Sequence, residues 1–453
     1  MGDTTASRAD VARLFGRAAF GATKADLDTH RGTPYEVVVD HLLDIPDPAT
    51  RAPAADDALR LTYENGGNLQ AAALWWLDRM RTTAYPLEER MTLFWHDHWA
   101  TAAGGALGVP AVVRQNQTIR LNALGNFRTM CHAMTLDGAM LSWLDGQRNI
   151  ASSPNENYAR EFFELFTLGV FPQVYTETDI REAARAFTGW VVDPVSRNGR
   201  FEVSRHDTGT KRILGQPVGN KGANEVNRVI DIALAQPIAS RFVAYKLVQN
   251  FAYVPSSQNL LVDKDPLVEV VAAALRANDW ALRPAVRAML LSDHFRYADA
   301  AQGRQVVRQP AEITVHLTKV LGVSANQAAW RATNAAGQSV FAPPNVGGWP
   351  VGTGWLSPST VTARYEIAFR VSALHASQRG GNGLRPYLLP PSSDIKTGGA
   401  QWAALMGLAA LSPTTLQAAK TYRNARNQAN APEHELQTGI LLILATSPDW
   451  QVM

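Results

Sequence analysis

Cysteine is nearly missing from this 453-residue chain, which has Cys131 alone. That excludes an internal disulfide framework and every zinc or iron–sulfur site built on several thiolates. Flanked by Asn-Phe-Arg-Thr-Met and His-Ala-Met, Cys131 reads as a buried, inert thiol on a helix. Long apolar runs are missing as well. The longest, Gly439 to Ala445, falls well short of the roughly 18 residues a bilayer-crossing helix needs, so no membrane insertion is expected. Charge of one sign is equally scarce. Lys and Arg total 43 against 40 Asp and Glu, a net of +3 without a block of like charge, and nucleic acid is not an expected partner.

Targeting and nucleotide motifs are also lacking. Met1-Gly2-Asp3-Thr4-Thr5-Ala6 has no basic region before an apolar core and no twin arginine, and it puts Ala6 where myristoylation needs Ser or Thr. As written, the chain reads as cytoplasmic. There is no Gly-x-Ser-x-Gly elbow, phosphate-binding Gly-rich loop, dinucleotide fingerprint or His-Glu-x-x-His, so serine-hydrolase, nucleotide and nicotinamide readings lack support.

What is present is a folding composition, 46% hydrophobic and 18% charged, dominated by helical periodicity. Val11, Leu14, Phe15 and Ala18 recur along 9–20 until Gly21 stops them. Fifteen further segments between 34–44 and 433–446 predict helices, among them 86–102, 110–132, 154–168, 177–188 and 236–252. Phe201 to Val203 and Arg212 to Leu214 predict a short hairpin turning at Asp207-Thr208-Gly209. The expected fold is mainly α: one large multi-helix domain over 1–453, with a β-hairpin excursion and a long Gly/Pro/Trp loop from Pro343 to Trp355. A second Pro/Gly-rich connection, Gly380 to Pro391 continuing to Gly399, sets off 400–453 as a candidate helical subdomain. Two helix endings echo each other, each closed by an aromatic plug, Phe295 and Trp450.

The densest chemistry lies in Ser153 to Gly169. Ser153, Pro154 and Glu156 predict a capping box with proline at the first helical position. At 100° per residue Asn157, Glu161 and Glu164 share a face, and Glu156 pairs with Arg160 one turn on. Phe162, Phe163, Leu165 and Phe166 make the helix apolar nearly all round, so burial is expected to take carboxylates inside, where they need partners, a metal or a proton. Thr176 to Asp179 predicts a second capping box, followed by Arg181, Glu182 and Arg185, and the two helices are expected to share an ion network.

His96 and His98 in Phe94-Trp95-His96-Asp97-His98-Trp99 face one site only if the backbone is extended, because on a helix they diverge by about 200°. With the carboxylates and His206-Asp207 they suit zinc, iron or manganese. Trp349 and Trp355 offer faces for stacking a sugar, and Arg364 is a candidate anion partner.

The chain resembles the bacterial domain-of-unknown-function family 1800. The resemblance rests on Gly16-Arg17-Ala18-Ala19-Phe20-Gly21-Ala22-Thr23, Phe94 to Trp99, Arg120 to Phe127, Asn155 to Glu161 through Glu164 to Gly169, Ala184 to Trp190, His206-Asp207 and Pro343 to Pro350, in order along nearly the whole chain. It implies one continuous domain. It also implies kinship with proteins often exported and encoded beside a sulfatase-like partner, without a general activity. Where the family pattern reads His-Asn-His then Phe, this chain has Asp97 and Trp99.

Three functions follow as expectations. In a metal-assisted hydrolase, His96, His98, Glu161, His206 and Asp207 hold a divalent ion while Arg160 or Arg185 stabilises developing charge, with Glu156, Glu161 and Glu164 as further catalytic candidates. In a metal-free glycan hydrolase two carboxyl groups flank the scissile bond, with Trp349 or Trp355 stacking the sugar. In a non-catalytic scaffold the Glu/Arg helices lock the fold, and the tryptophan loop binds a glycan or a protein.

Overall fold

The fold follows from its helix starts. Ser7 and Asp10 bond reciprocally across the first turn of Arg8–Ala18, Asp10 N to Ser7 Oγ at 3.1 Å and Ser7 N to Asp10 Oδ2 at 2.9 Å. Val11, Leu14, Phe15 and Ala18 then face the interior. The helix stops where Phe20 (φ +58°) and Gly21 (φ +105°) turn left-handed. A Cβ on Gly21 would lie 2.3 Å from the His316 ring, so both conformation and space require glycine. The computed structural model describes residues 4–48, 50, 56–104, 107–297, 305–378 and 395–453. Among these it has 23 α-helices and two small two-stranded sheets, so the chain is mainly α. No helix among them is long and apolar enough to cross a membrane.

Several expected boundaries move. Residues 110–132 form two helices, Gly108–Asn122 and Phe127–Thr135, because Gly125-Asn126 turns the chain and the Asn126 side chain caps the second at Arg128 N, 2.9 Å. Residues 86–102 shorten to Pro86–His98. The expected capping box at Ser153 does not form. Ser153 instead bridges back to Ile150, and the helix begins at Asn157, whose N–H is taken by Asn155 Oδ1 at 2.9 Å. Thr176 does cap Glu177–Ala186 through Asp179.

The β excursion also differs. Phe201 pairs with Trp190 and Arg212 with Pro217, giving two separate ribbons, Trp190–Val192 with Gly199–Phe201 and Arg212–Ile213 with Gln216–Pro217. Val203–Arg205 is a 3₁₀ turn. Local turns at Asn198 and Gly215 outcompeted the longer Asp207-Thr208-Gly209 closure, since short loops close at lower entropic cost.

A large core joins the N-terminal helices to those between Phe127 and Phe295. A second core packs Glu433–Thr446 against Pro310–Leu321 and Pro358–Gln378 through Ile440, Leu444, Ile313, Leu317, Ile367 and Val371. The plugs Phe295 and Trp450 are both fully buried, and each has an arginine over its ring: Arg17 at 5.6 Å and Arg308 at 4.9 Å. Cys131 is buried, and burial pushes its thiol well up. The connection from Gly380 to Pro391 lies outside the described residues, while Gly399 falls within the helix Ile395–Leu405.

Candidate functional site

The carboxylate segment is not a simple α-helix. Asn157–Glu161 passes directly into a π-helical turn, Phe162–Thr167, in which the Thr167 hydroxyl returns to Phe162 O at 2.6 Å and Leu168 N reaches Phe163 O at 2.8 Å. Such turns are rare and recur at functional sites. The widened turn buries Phe162, Phe163 and Phe166 on the core side. The expected burial of the carboxylates is not what happens. Glu156 keeps 37% and Glu164 25% of its side-chain surface, because the phenyl rings fill the interior and leave the acids at its edge.

Arg160 organises that edge. It pairs with Glu156 at 3.1 Å, Glu164 at 3.5 Å and, across to the next helix, Glu177 at 2.7 Å. Glu161 stands apart. Among the described residues no hydrogen bond or ion pair reaches its carboxyl, and it is partly buried. Burial, and then the neighbouring charge of Glu164, hold Glu161 above the ordinary carboxylate range despite Arg160. Two carboxyl groups on one turn thus have different surroundings, one within 3.5 Å of a guanidinium and one, among the described residues, without an ion pair.

His96 and His98 diverge, as expected for a helix. His96 sits in an aromatic box of Trp76, Phe341 and Trp349 with centroids 5.4–5.7 Å away, and among the described residues neither ring nitrogen has a hydrogen-bond partner. His98 points the other way, with Nε2 3.0 Å from Phe166 O in the π turn. Burial pulls both imidazoles down to about 3, so both are neutral. Between them, Asp97 Oδ1 accepts the backbone N–H of Trp349 at 2.6 Å, fastening the Gly/Pro loop to this helix. Burial raises Asp97 to about 6, against the Trp349 N–H, Lys246 and Arg90. Lys246 carried no sequence motif, and only tertiary packing brings it near Asp97.

His206 and Asp207 are neighbours with separate partners. His206 Nδ1 faces Thr188 O at 3.0 Å, while its Nε2 lies 3.4 Å from Glu225 Oε1. Glu225 also holds Lys211 Nζ at 2.9 Å, and both of those side chains are fully buried. Arg185 grips Asp207 at 2.8 and 3.1 Å and Glu182 at 2.8 Å, and the Arg185 hydrogen bond keeps Asp207 below its ordinary range. This cluster ties the β excursion to the helix Glu225–Leu234. Trp349 and Trp355 are 5% and 1% exposed, so protein covers the faces a sugar would stack on. Arg364 is buried too, donating to Gln451 Oε1 at 2.9 Å and Arg308 O at 2.8 Å. Among the described residues no three His, Cys, Asp or Glu side chains are gathered to hold a metal ion, so the expected ligands do not make a coordination set.

Sequence reading missed a buried ion cluster. Glu89, without exposure, is held by Arg120 at 2.6 Å, Arg79 at 2.7 Å and Trp76 Nε1 at 3.0 Å. Arg90 pairs with Glu312 at 2.6 Å. A surface cleft of about 610 Å³ between Tyr35–Leu43 and Leu282–Leu291, lined by Asp40, His41 and Arg287, contains none of the site residues.

These features define a mainly α protein with an acidic π turn backed by a buried histidine–aspartate helix. The chain belongs to the family described as "Protein of unknown function (DUF1800)", whose model matches residues 13–452. No curated protein and no solved structure matches it.

Proposed function

We propose that this protein is a metal-free acid–base hydrolase whose site is the π turn, with a glycosidic bond as its target. The observation that carries the reading is Glu161: a partly buried carboxyl without a hydrogen bond or ion pair among the described residues, raised by burial, on the same turn as Glu164, which pairs with Arg160. Two carboxyl groups with different surroundings are the working parts of such enzymes. Glu161 donates a proton to the departing oxygen, and Glu164 takes one from water or stabilises the positive charge developing at the anomeric carbon. Arg160 positions Glu164. Glu161 ends the α-helix and Glu164 lies in the π turn that continues it, a core-backed element of the kind a preorganised site requires.

The test is hydrolysis of a panel of 4-nitrophenyl glycosides and polysaccharides, with phosphate and sulfate esters alongside. A turned-over glycoside whose rate falls by about a hundred-fold or more in Glu161→Gln, with the fold intact, supports the reading. One observation favours a scaffold instead. Arg160 binds three carboxylates while Trp349, Trp355 and Arg364 are buried, as a purely architectural lock would have it. Under that reading Glu161→Gln changes stability and no panel member turns over.

A further inference from the structure

A cleft of about 420 Å³ opens where the helices Asp57–Asn65 and Gly108–Asn122 meet the tip of the ribbon Trp190–Val192 with Gly199–Phe201. No residue of the π turn lines it. Leu107, Pro110 and Val195 form its apolar side, and Glu64, Arg114 and Arg197 bring charge to it. Glu64 does not answer those two arginines, because Arg60, one turn earlier in the same helix, already pairs with its carboxylate.

Elsewhere the arginines end on acids: Arg120, Arg160 and Arg185 each reach a carboxylate at 2.6 to 2.8 Å. Among the described residues neither Arg114 nor Arg197 makes an ion pair. Arg114 donates one N–H to the Glu64 carbonyl, which anchors the half-buried guanidinium and leaves its other donors unused. The exposed Arg197 side chain has no hydrogen bond among the described residues. Its backbone, by contrast, is held firmly. Asp193 Oδ1 accepts Val195 N and Ser196 N at 3.0 and 2.8 Å, and Asp193 O accepts Arg197 N at 2.9 Å. A Cβ on Gly138 would lie 1.8 Å from Arg197 O, so the helix Gly138–Trp143 packs directly on that tip. Arg197 itself stands at φ +60°, where an L side chain is costly to keep. The start of Gly108–Asn122, which no side chain caps, adds the positive end of a helix dipole beside Leu107 and Pro110.

We infer that this cleft binds a small phosphate monoester through Arg114 and Arg197, with the apolar body of the ester against Pro110 and Val195. A phosphate monoester carries about −1.5 to −2 charge near neutral pH, which two guanidiniums balance, whereas a carboxylate leaves one of them unanswered. The planar fork of each guanidinium matches phosphate oxygens in pairs. Val195 is 89% exposed, so the organic body of a ligand covers apolar surface that an inorganic ion leaves in water. Binding makes and breaks no covalent bond. The cleft is a site separate from the acids of the π turn.

The experiment is calorimetric titration of the full chain with phenyl phosphate, and separately with benzoate, at about pH 7.5 and low salt, where the phosphate is mostly dianion and screening is weak. Phenyl phosphate is expected to fill one saturable site, with affinity about ten-fold lower in Arg197→Gln and in Arg114→Gln. Benzoate is expected to bind the wild type about ten-fold more weakly than phenyl phosphate. Absence of saturable phenyl phosphate binding, or an affinity that both variants keep, overturns the proposal. Benzoate binding as tight as phenyl phosphate overturns the assignment to phosphate. Arg197 is exposed, so its variant keeps the fold and decides alone if Arg114→Gln, which gives up the bond to Glu64 O, unfolds. Glu161→Gln is expected to bind phenyl phosphate as the wild type does, so the outcome stands apart from the fate of Glu161 as an acid.

Discussion

Asp97 and Trp349, 252 positions apart in the chain, are joined by one short hydrogen bond in which the carboxylate accepts the loop's N–H at 2.6 Å. Gly348 makes the approach possible. At φ +84° its missing Cβ would lie 2.2 Å from Asp97 Oδ1 and 2.7 Å from Asp97 O. Gly348→Ala is expected to cost more than about 1 kcal/mol by denaturant unfolding. In an Asp97→Ala background the cost shrinks without vanishing, because the Asp97 carbonyl is still there.

Asp97 sets a pH window. Its folded value of about 6 lies above the ordinary 3.8, so the folded chain keeps a proton the unfolded chain gives up. That stabilisation is complete below about pH 3.8 and is lost as pH rises through about 6. The unfolding free energy of wild type minus that of Asp97→Asn should therefore fall across this range. His96 and His98, depressed to about 3 from 6.5, lose stability in the opposite direction, as pH falls below 6.5, and cancel in the difference. A flat difference contradicts the placement of Asp97.

Burial alone would raise Glu89, yet Arg120 and Arg79 bring it down to about 2. Removing one guanidinium leaves that charge undercompensated in the core. Arg120→Met is expected to lower stability by roughly 3 kcal/mol at neutral pH, read from urea unfolding.

Glu225 faces both Lys211 and His206 in the interior. Glu225→Gln strands a buried ammonium and should destabilise by roughly 3–5 kcal/mol. Adding Lys211→Met should recover part of that loss, which a double-mutant cycle measures.

The helical fold was legible because periodicity and caps are local: Thr176 with Asp179, or Val11 with Leu14 and Phe15, need no distant partner. Sheet pairing was not, since the register of Trp190 with Phe201 depends on which turn closes first. Of the site, the acids and Arg160 were readable from one helix face. The π turn was invisible, because its wider ring carries no residue signature. Trp349 and Trp355 looked available because tryptophans in a Gly/Pro loop resemble a binding surface, and Arg364 because it follows that loop, whereas here the tryptophans are buried and Arg364 is spent on Gln451 and Arg308 O.

The central claim is that Glu161 holds its proton to higher pH than an ordinary carboxyl, beside a Glu164 paired with Arg160. ¹³C NMR titration of glutamate-labelled protein, with the Glu161 carboxyl assigned by its loss in Glu161→Gln, measures this directly. The account predicts that Glu161 titrates above the ordinary 4.5. A Glu161 that titrates at or below that value would contradict it.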